Sequence, residues 1–219
     1  MNYKVAILID GGFYTQRFKE LNKPQKASTT TTTTQQHQNH YHTIIPQKKD
    51  VERLITDIMI AIQKKTGQGA TDFLYRAYWY DCMPFKDVVK SADGKSDKDY
   101  GKGKVYADKL KFINSLKEID QFALRLGQLS FTGWKLDVHN PTSPPKPDFR
   151  QKGVDMKIGL DMAWMASNKT VQKIVLVTGD SDFISPIKFV RREGLLVYLY
   201  PMQQRRLKAD LKEHCDFIL

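Results

Sequence analysis

Two apolar runs in this chain end in the same way. Residues 5–9 (VAILI) lead directly into Asp10-Gly11-Gly12, and residues 174–177 (IVLV) lead through Thr178 into Gly179-Asp180-Ser181-Asp182. An unbroken apolar run that stops at a charge is what a central strand covered on both faces requires. Glycine just beyond the strand allows a tight turn and lets a ligand approach the backbone closely. In a parallel α/β sheet, ligands bind outside the carboxyl ends of the strands. Both acidic clusters therefore project from one functional edge.

The rest of the chain supports that class. A short helix is expected over 13–21. Val51, Leu54, Ile55, Ile58 and Ile62 recur at helical spacing. Residues 73–80 (FLYRAYWY) read as a strand, with about half of their aromatic rings turned inward. Phe112, Leu116, Ile119, Ala123 and Leu126 lie on one stripe of a long amphipathic helix. Residues 130–138 read as a strand, and 139–150, with four prolines, as a loop. Residues 154–166 form a helix that is apolar nearly all round. A helix over 183–192 accepts Pro186 only in its first turn. A strand over 195–199 and a helix over 207–214 close the chain. Strands alternating with helices predict an α/β fold with a mostly parallel central sheet, in a single domain spanning 1–219. Two stretches interrupt it. Residues 23–47 hold six consecutive threonines, Thr29 to Thr34, then QQHQNHYH. They are too polar to build a core and form a low-complexity insertion. Residues 82–104 read as an exposed basic loop.

Charge narrows the partners. Lys and Arg exceed Asp and Glu by 35 to 24, a formal charge of +11. Such an excess suits a polyanion, nucleic acid first. No apolar stretch exceeds strand length, so no membrane helix is expected, and the amino terminus is a strand rather than a signal peptide. Cys82 and Cys215 form no CxxC pair and build neither a disulfide framework nor a zinc site. The chain is accordingly read as cytoplasmic. Neither GxxxxGK[ST] nor GxGxxG occurs, which argues against an NTPase or a dinucleotide enzyme.

A third acidic segment, QKGVDMKIGLDM (151–162), puts Asp155 in the first turn of a helix and Asp161 six residues on. Six residues rotate a helix through a total that leaves the two side chains about 120° apart. Asp155 is the better site residue; Asp161 is expected to line the rim or pair with a basic neighbour. One Asp at the start of a helix is commonly only a cap. Asp10, Asp155, Asp180 and Asp182, from three segments and aimed at one edge, point instead to a divalent cation. Hard cations such as Mg²⁺ or Mn²⁺ take several carboxylate oxygens and relieve the repulsion between them. A basic protein with such a site suits phosphodiester hydrolysis. Lys135, Lys146, Arg150 and Lys152 are the candidate phosphate contacts. His37, His40 and His42 form an HxxHxH array, read as part of a solvated loop.

IDGGF (9–13), GWKLDV (133–138), QKGVDMKIGLDM (151–162), VTGDSDF (177–183) and LKEHCDFIL (211–219) together resemble the NYN domain, of the PIN-like nuclease superfamily and including the LabA-like proteins. The resemblance implies a Rossmann-like, three-layer α/β/α sandwich. It also implies a Mg²⁺- or Mn²⁺-dependent ribonuclease whose metal-binding acids are Asp10, Asp155, Asp180 and Asp182, with Asp161 a further candidate. Products with a 5′-phosphate and a 3′-hydroxyl follow from the same resemblance. Many relatives carry DGxN at the first strand, where this chain has Phe13; Ser181 or Thr178 offers a replacement hydroxyl. The expected partner is RNA, with no membrane and with homo-oligomerisation left open. The alternative is an RNA-binding module of the same fold with little or no catalysis.

Overall fold

The computed structural model describes residues 1–23, 44–67, 69–138, 140, 142–204 and 206–219. The threonine run and the His37, His40, His42 array lie outside the described residues.

Nine strands and six α-helices follow in the order β1 (Asn2–Asp10), α1 (Gly11–Leu21), α2 (Lys48–Thr66), β2 (Thr71–Cys82), β3 (Val88–Lys90), β4 (Asp97–Asp99), α3 (Lys104–Leu116), β5 (Phe122–Lys135), β6 (Lys146–Lys152), α4 (Val154–Ser167), β7 (Lys173–Val177), α5 (Ile184–Arg192), β8 (Leu196–Leu199), α6 (Ala209–Glu213) and β9 (Phe217–Ile218) among the described residues. Seven of these strands make one sheet in the order β6-β5-β2-β1-β7-β8-β9. All neighbours are parallel except β5 and β6.

β1 shows why the sheet is covered on both faces. Its residues Val5 to Ile9 are fully buried, and they alternate between two cores. Ala6 and Leu8 pack with Tyr78, Tyr80, Ile158 of α4 and Ile187 of α5. Val5, Ile7 and Ile9 pack with Trp79, Ile58 of α2 and Phe112 of α3. The period-2 alternation of a strand thus divides one apolar run between two layers of helices. This is the expected α/β/α sandwich.

Three stretches differ from the expectation. The long amphipathic helix ends at Leu116. Gln121 takes a left-handed φ of 52°, and Ala123 and Leu126 fall on strand β5. There Phe122, Leu124 and Leu126 alternate with Ala123, Arg125 and Gly127, and pairing with β2 from Ala77↔Phe122 overrides the helical reading. The proline-rich stretch 139–150 contains the start of β6. Pro147 is tolerated because β6 is an outer strand of the sheet. Within 82–104, β3 and β4 pair as an antiparallel hairpin. That segment is anchored by Phe85 and Tyr100, whose rings meet Phe149 at 5.1 and 5.3 Å. β9 was not expected; Phe217 stacks on Tyr198 at 4.7 Å.

Candidate active site

Asp10 ends β1 and caps α1. Its Oδ1 accepts the backbone N–H of Phe13 at 3.0 Å, and its Oδ2 accepts the Thr178 hydroxyl at 3.5 Å. Thr178, just past the end of the adjacent parallel strand β7, also accepts the Asp180 N–H at 3.2 Å. Its hydroxyl therefore ties the first acidic turn to the second. Asp180 in turn accepts the Asp182 N–H at 3.0 Å, holding the GDSD segment as one turn of 3₁₀ helix over Ser181–Phe183. Asp155 comes from the opening turn of α4, which starts after Gly153 at φ 78°. That left-handed backbone favours glycine and redirects the chain from β6 into α4.

The carboxylates repel one another. Asp10 is pushed up to about 6, first by burial and then by the charges of Asp155 and Asp81, against the opposing backbone N–H groups of Phe13 and Gly12. Partial desolvation raises Asp155, and the charges of Asp180 and Asp182 add to it. Four acids from three segments thus share one electrostatic neighbourhood. Among the described residues, no three His, Cys, Asp or Glu side chains stand close enough to ligate one ion as they are. The donor set is nonetheless all carboxylate, without thiol or imidazole. Its mutual repulsion is the condition that a hard divalent cation relieves, so it fits Mg²⁺ or Mn²⁺ by donor chemistry.

A cleft of about 440 Å³ opens at this edge, lined by Asp10, Phe13, Arg17, Thr178, Asp180 and Gln204 among others. Phe13 replaces the polar residue of the resembled motif with a ring on the cleft wall. Its backbone, not its side chain, serves Asp10.

Asp161 is placed elsewhere. Its Oδ2 accepts the Tyr80 hydroxyl at 2.8 Å and the Arg125 Nε at 2.9 Å. This is the expected basic pairing, and it commits the carboxylate to β2 and β5. The four candidate phosphate contacts lie on the β5–β6 hairpin, with Lys135 opposite Lys146. Lys146 reaches Asp137 at 3.6 Å. Along β6, side chains alternate. Phe149 and Gln151 line a pocket beside α3, so Lys146, Arg150 and Lys152 face the other way.

Four residues at or beside the site lie outside the set expected from the sequence. Asp81, one position past the β2 residue that pairs with Asp10, is buried. It accepts the Trp79 indole N–H at 3.3 Å and the Cys82 N–H at 2.7 Å, and pairs with the Lys109 ammonium. Its signal was present: β2 ends at the same edge as β1, but the strand was read as stopping at Tyr80. Gln151 approaches Asp10 across Gly12: a Cβ on Gly12 would lie 3.3 Å from both Asp10 Oδ1 and the Gln151 amide. Arg17 lines the cleft and donates to the Met202 carbonyl. Lys208 donates to the Ser181 hydroxyl at 2.8 Å. Both cysteines are buried, and burial pushes the Cys215 thiol up to about 11, so neither is a ready nucleophile.

Comparison with known proteins agrees with this architecture. The family model described as NYN domain matches residues 4–219. A crystal structure of a protein of unknown function from Vibrio parahaemolyticus superposes with a TM-score of 0.50 at 16% identity, covering 99% of this chain and 91% of that one. It is a likeness of fold. No curated protein matches the sequence significantly.

Proposed function

The chain belongs to the NYN domain family, which includes PIN-like nucleases, and on that premise we propose that it is a divalent-cation-dependent ribonuclease. One observation carries the reading: three segments bring Asp10, Asp155, Asp180 and Asp182 to the carboxyl edge of the sheet, where the charge of Asp155 adds to the burial that raises Asp10 and the charges of Asp180 and Asp182 add to the desolvation that raises Asp155. Asp10, Asp155 and Asp180 would hold Mg²⁺ or Mn²⁺, and Asp182 would either complete the set or orient the attacking water. When bound, the ion neutralises phosphate charge and lowers the pKa of water.

The chain's own groups do the rest. Thr178 and the Phe13 N–H fix both oxygens of Asp10. Lys208, held beside Ser181, meets the negative charge of the scissile phosphate, and the positive surface keeps the polyanion near. The products carry a 5′-phosphate and a 3′-hydroxyl. Among the described residues no helix is long and apolar enough to cross a membrane.

A second reading, an RNA-binding module with feeble catalysis, is favoured by the spacing of the carboxylates, no three of which stand within reach of one ion among the described residues. Purified protein with Mn²⁺ and end-labelled single-stranded RNA separates the two. Cleavage that chelation and Asp180→Asn abolish, with binding retained, supports the enzyme. Binding without metal-dependent cleavage supports the module.

A further inference from the structure

Beside the acidic edge, on the α3 side of the sheet, lies a pocket of about 530 Å³ whose walls are mostly apolar. Phe85, Tyr100 and Phe149 supply its aromatic wall, with ring centroids 5.1 to 5.6 Å apart and Tyr100 edge-on to both neighbours. Lys98, Lys104 and Lys109 stand around it, and the Lys98 ammonium lies 4.9 Å from the centre of the Tyr100 ring. The Tyr100 hydroxyl is buried and has no hydrogen-bond partner among the described residues. Two of its lining residues relate the pocket to the acidic site. Asp81 and Gln151 line it; the charge of Asp81 reaches Asp10, and the Gln151 amide lies across Gly12 from Asp10.

We propose that this pocket is a nucleobase subsite that takes one unpaired base of a single-stranded RNA while the adjoining phosphate lies at the carboxylates. The inference rests on reading the chain as an RNA-binding nuclease and adds which form of RNA it selects. An aromatic wall offers the base a face to stack on, and the lysines meet the flanking phosphates. Gln151 supplies hydrogen bonds to the base edge. A base inside a duplex has its faces already stacked and cannot enter. The segment 82–104 is therefore a binding element built around Phe85 and Tyr100, rather than a solvated loop.

The test uses the full chain carrying Asp180→Asn, without metal, so that binding is read apart from cleavage. The probes are a 12-nucleotide RNA containing 2-aminopurine and its duplex of the same sequence. Tyr100→Leu keeps apolar bulk and removes the stacking ring and hydroxyl. It is expected to weaken single-strand binding about 5- to 30-fold, by the usual worth of one stacked base, to abolish 2-aminopurine quenching, and to leave duplex binding within about twofold. Tyr100→Phe retains the ring and should keep the quenching. Lys98→Ala, on the surface, should weaken single-strand binding a few-fold with an unchanged melting curve, which keeps the test valid if Tyr100→Leu unfolds. The pocket is overturned if these variants bind single strands like the parent, if duplex and single strand weaken equally, or if no single-strand binding is measurable. The nuclease reading fails separately: wild-type protein that quenches 2-aminopurine but cleaves nothing with Mn²⁺ keeps the pocket and loses the enzyme.

Discussion

The guanidinium Nε of Arg125 donates to Oδ2 of Asp161 at 2.9 Å, and the Tyr80 hydroxyl donates to the same oxygen. Asp161 is therefore engaged with β2 and β5, while Asp155, six residues earlier on α4, stands in the field of Asp180 and Asp182. The two acids of one motif have different work. Asp161→Asn should cut cleavage by no more than about threefold and lower stability by about 1 kcal/mol. The figure is small because the ion pair is partly exposed, though the Tyr80 hydroxyl loses a charged acceptor. Asp155→Asn should abolish metal-dependent cleavage with little change in melting temperature. Parallel melting curves and cleavage rates for the two variants check this; equal loss of activity in both would be contrary.

Asp10 makes the metal-free protein sensitive to pH. Its folded pKa, about 6, lies above the ordinary carboxylate value of 3.8. The folded state thus holds a proton that the unfolded chain has released. Stability from this group is full below pH ~4, falls as pH rises through about 6, and stays low above it. Asp10→Asn removes the charge, should flatten that decline, and should raise stability near neutral pH by on the order of 1–2 kcal/mol. It should also abolish cleavage. Chemical denaturation of metal-free protein from pH 4 to 8 checks this, and adding Mn²⁺ to the wild type should restore the stability lost at pH 7.

The parts of this fold that the sequence made legible are those with one dominant physical constraint. β1 and β7 are buried on both faces, so their apolar runs are unbroken and their ends are marked by Asp10 and Asp180. β5 was obscured because its alternation, Phe122-Leu124-Leu126, begins only six residues after the last apolar stripe residue of α3, Leu116. Two periods overlap there, and only pairing with β2 decides between them. β6 was obscured by Pro147, which an edge strand tolerates. Helix geometry separated Asp155 from Asp161 correctly. It could not name Arg125 as the partner, because Arg125 sits on the strand that was read as a helix. Asp81 was missed for a related reason: its place beside Asp10 follows from the register Asp10↔Tyr80, which no single-strand reading contains.

At the opposite end of the sheet, the Lys173 side chain is 2% exposed beside the Asp72 carboxylate, whose side chain is wholly buried, with an N–O distance of 2.7 Å. The Thr66 hydroxyl and the rings of Tyr3 and Tyr198 complete its surroundings. Removing one member leaves a buried charge without compensation, so Lys173→Met should destabilise the fold by about 3–5 kcal/mol. Replacing both, as Lys173→Met with Asp72→Leu, should recover much of that loss, since a buried ion pair is worth little against apolar side chains of similar volume. The pair lies at the amino ends of β2 and β7, away from the carboxylates, so folded variants should cleave at the wild-type rate. A double-mutant cycle in urea reads the coupling.

Gly179 tests how the cleft is kept open. A Cβ at this position would fall 1.8 Å from the Gln204 amide oxygen and 2.8 Å from the Phe13 ring. Gln204 is at the far end of a flexible side chain, and its Oε1 has no hydrogen-bond partner among the described residues. It therefore yields first, moving into the cleft that both residues line, and the Phe13 ring yields by less. Gly179→Ala should lower kcat/KM at least tenfold, mainly through KM, as the space for the RNA backbone narrows. The stability cost should stay within the 1–3 kcal/mol typical of an overpacked site. Gln204→Ala in the same chain removes the nearer obstacle and should return most of the lost kcat/KM, leaving only the Phe13 contact. Steady-state kinetics of the single and double variants measure this; a double variant as impaired as Gly179→Ala alone would place the obstruction at Phe13 instead.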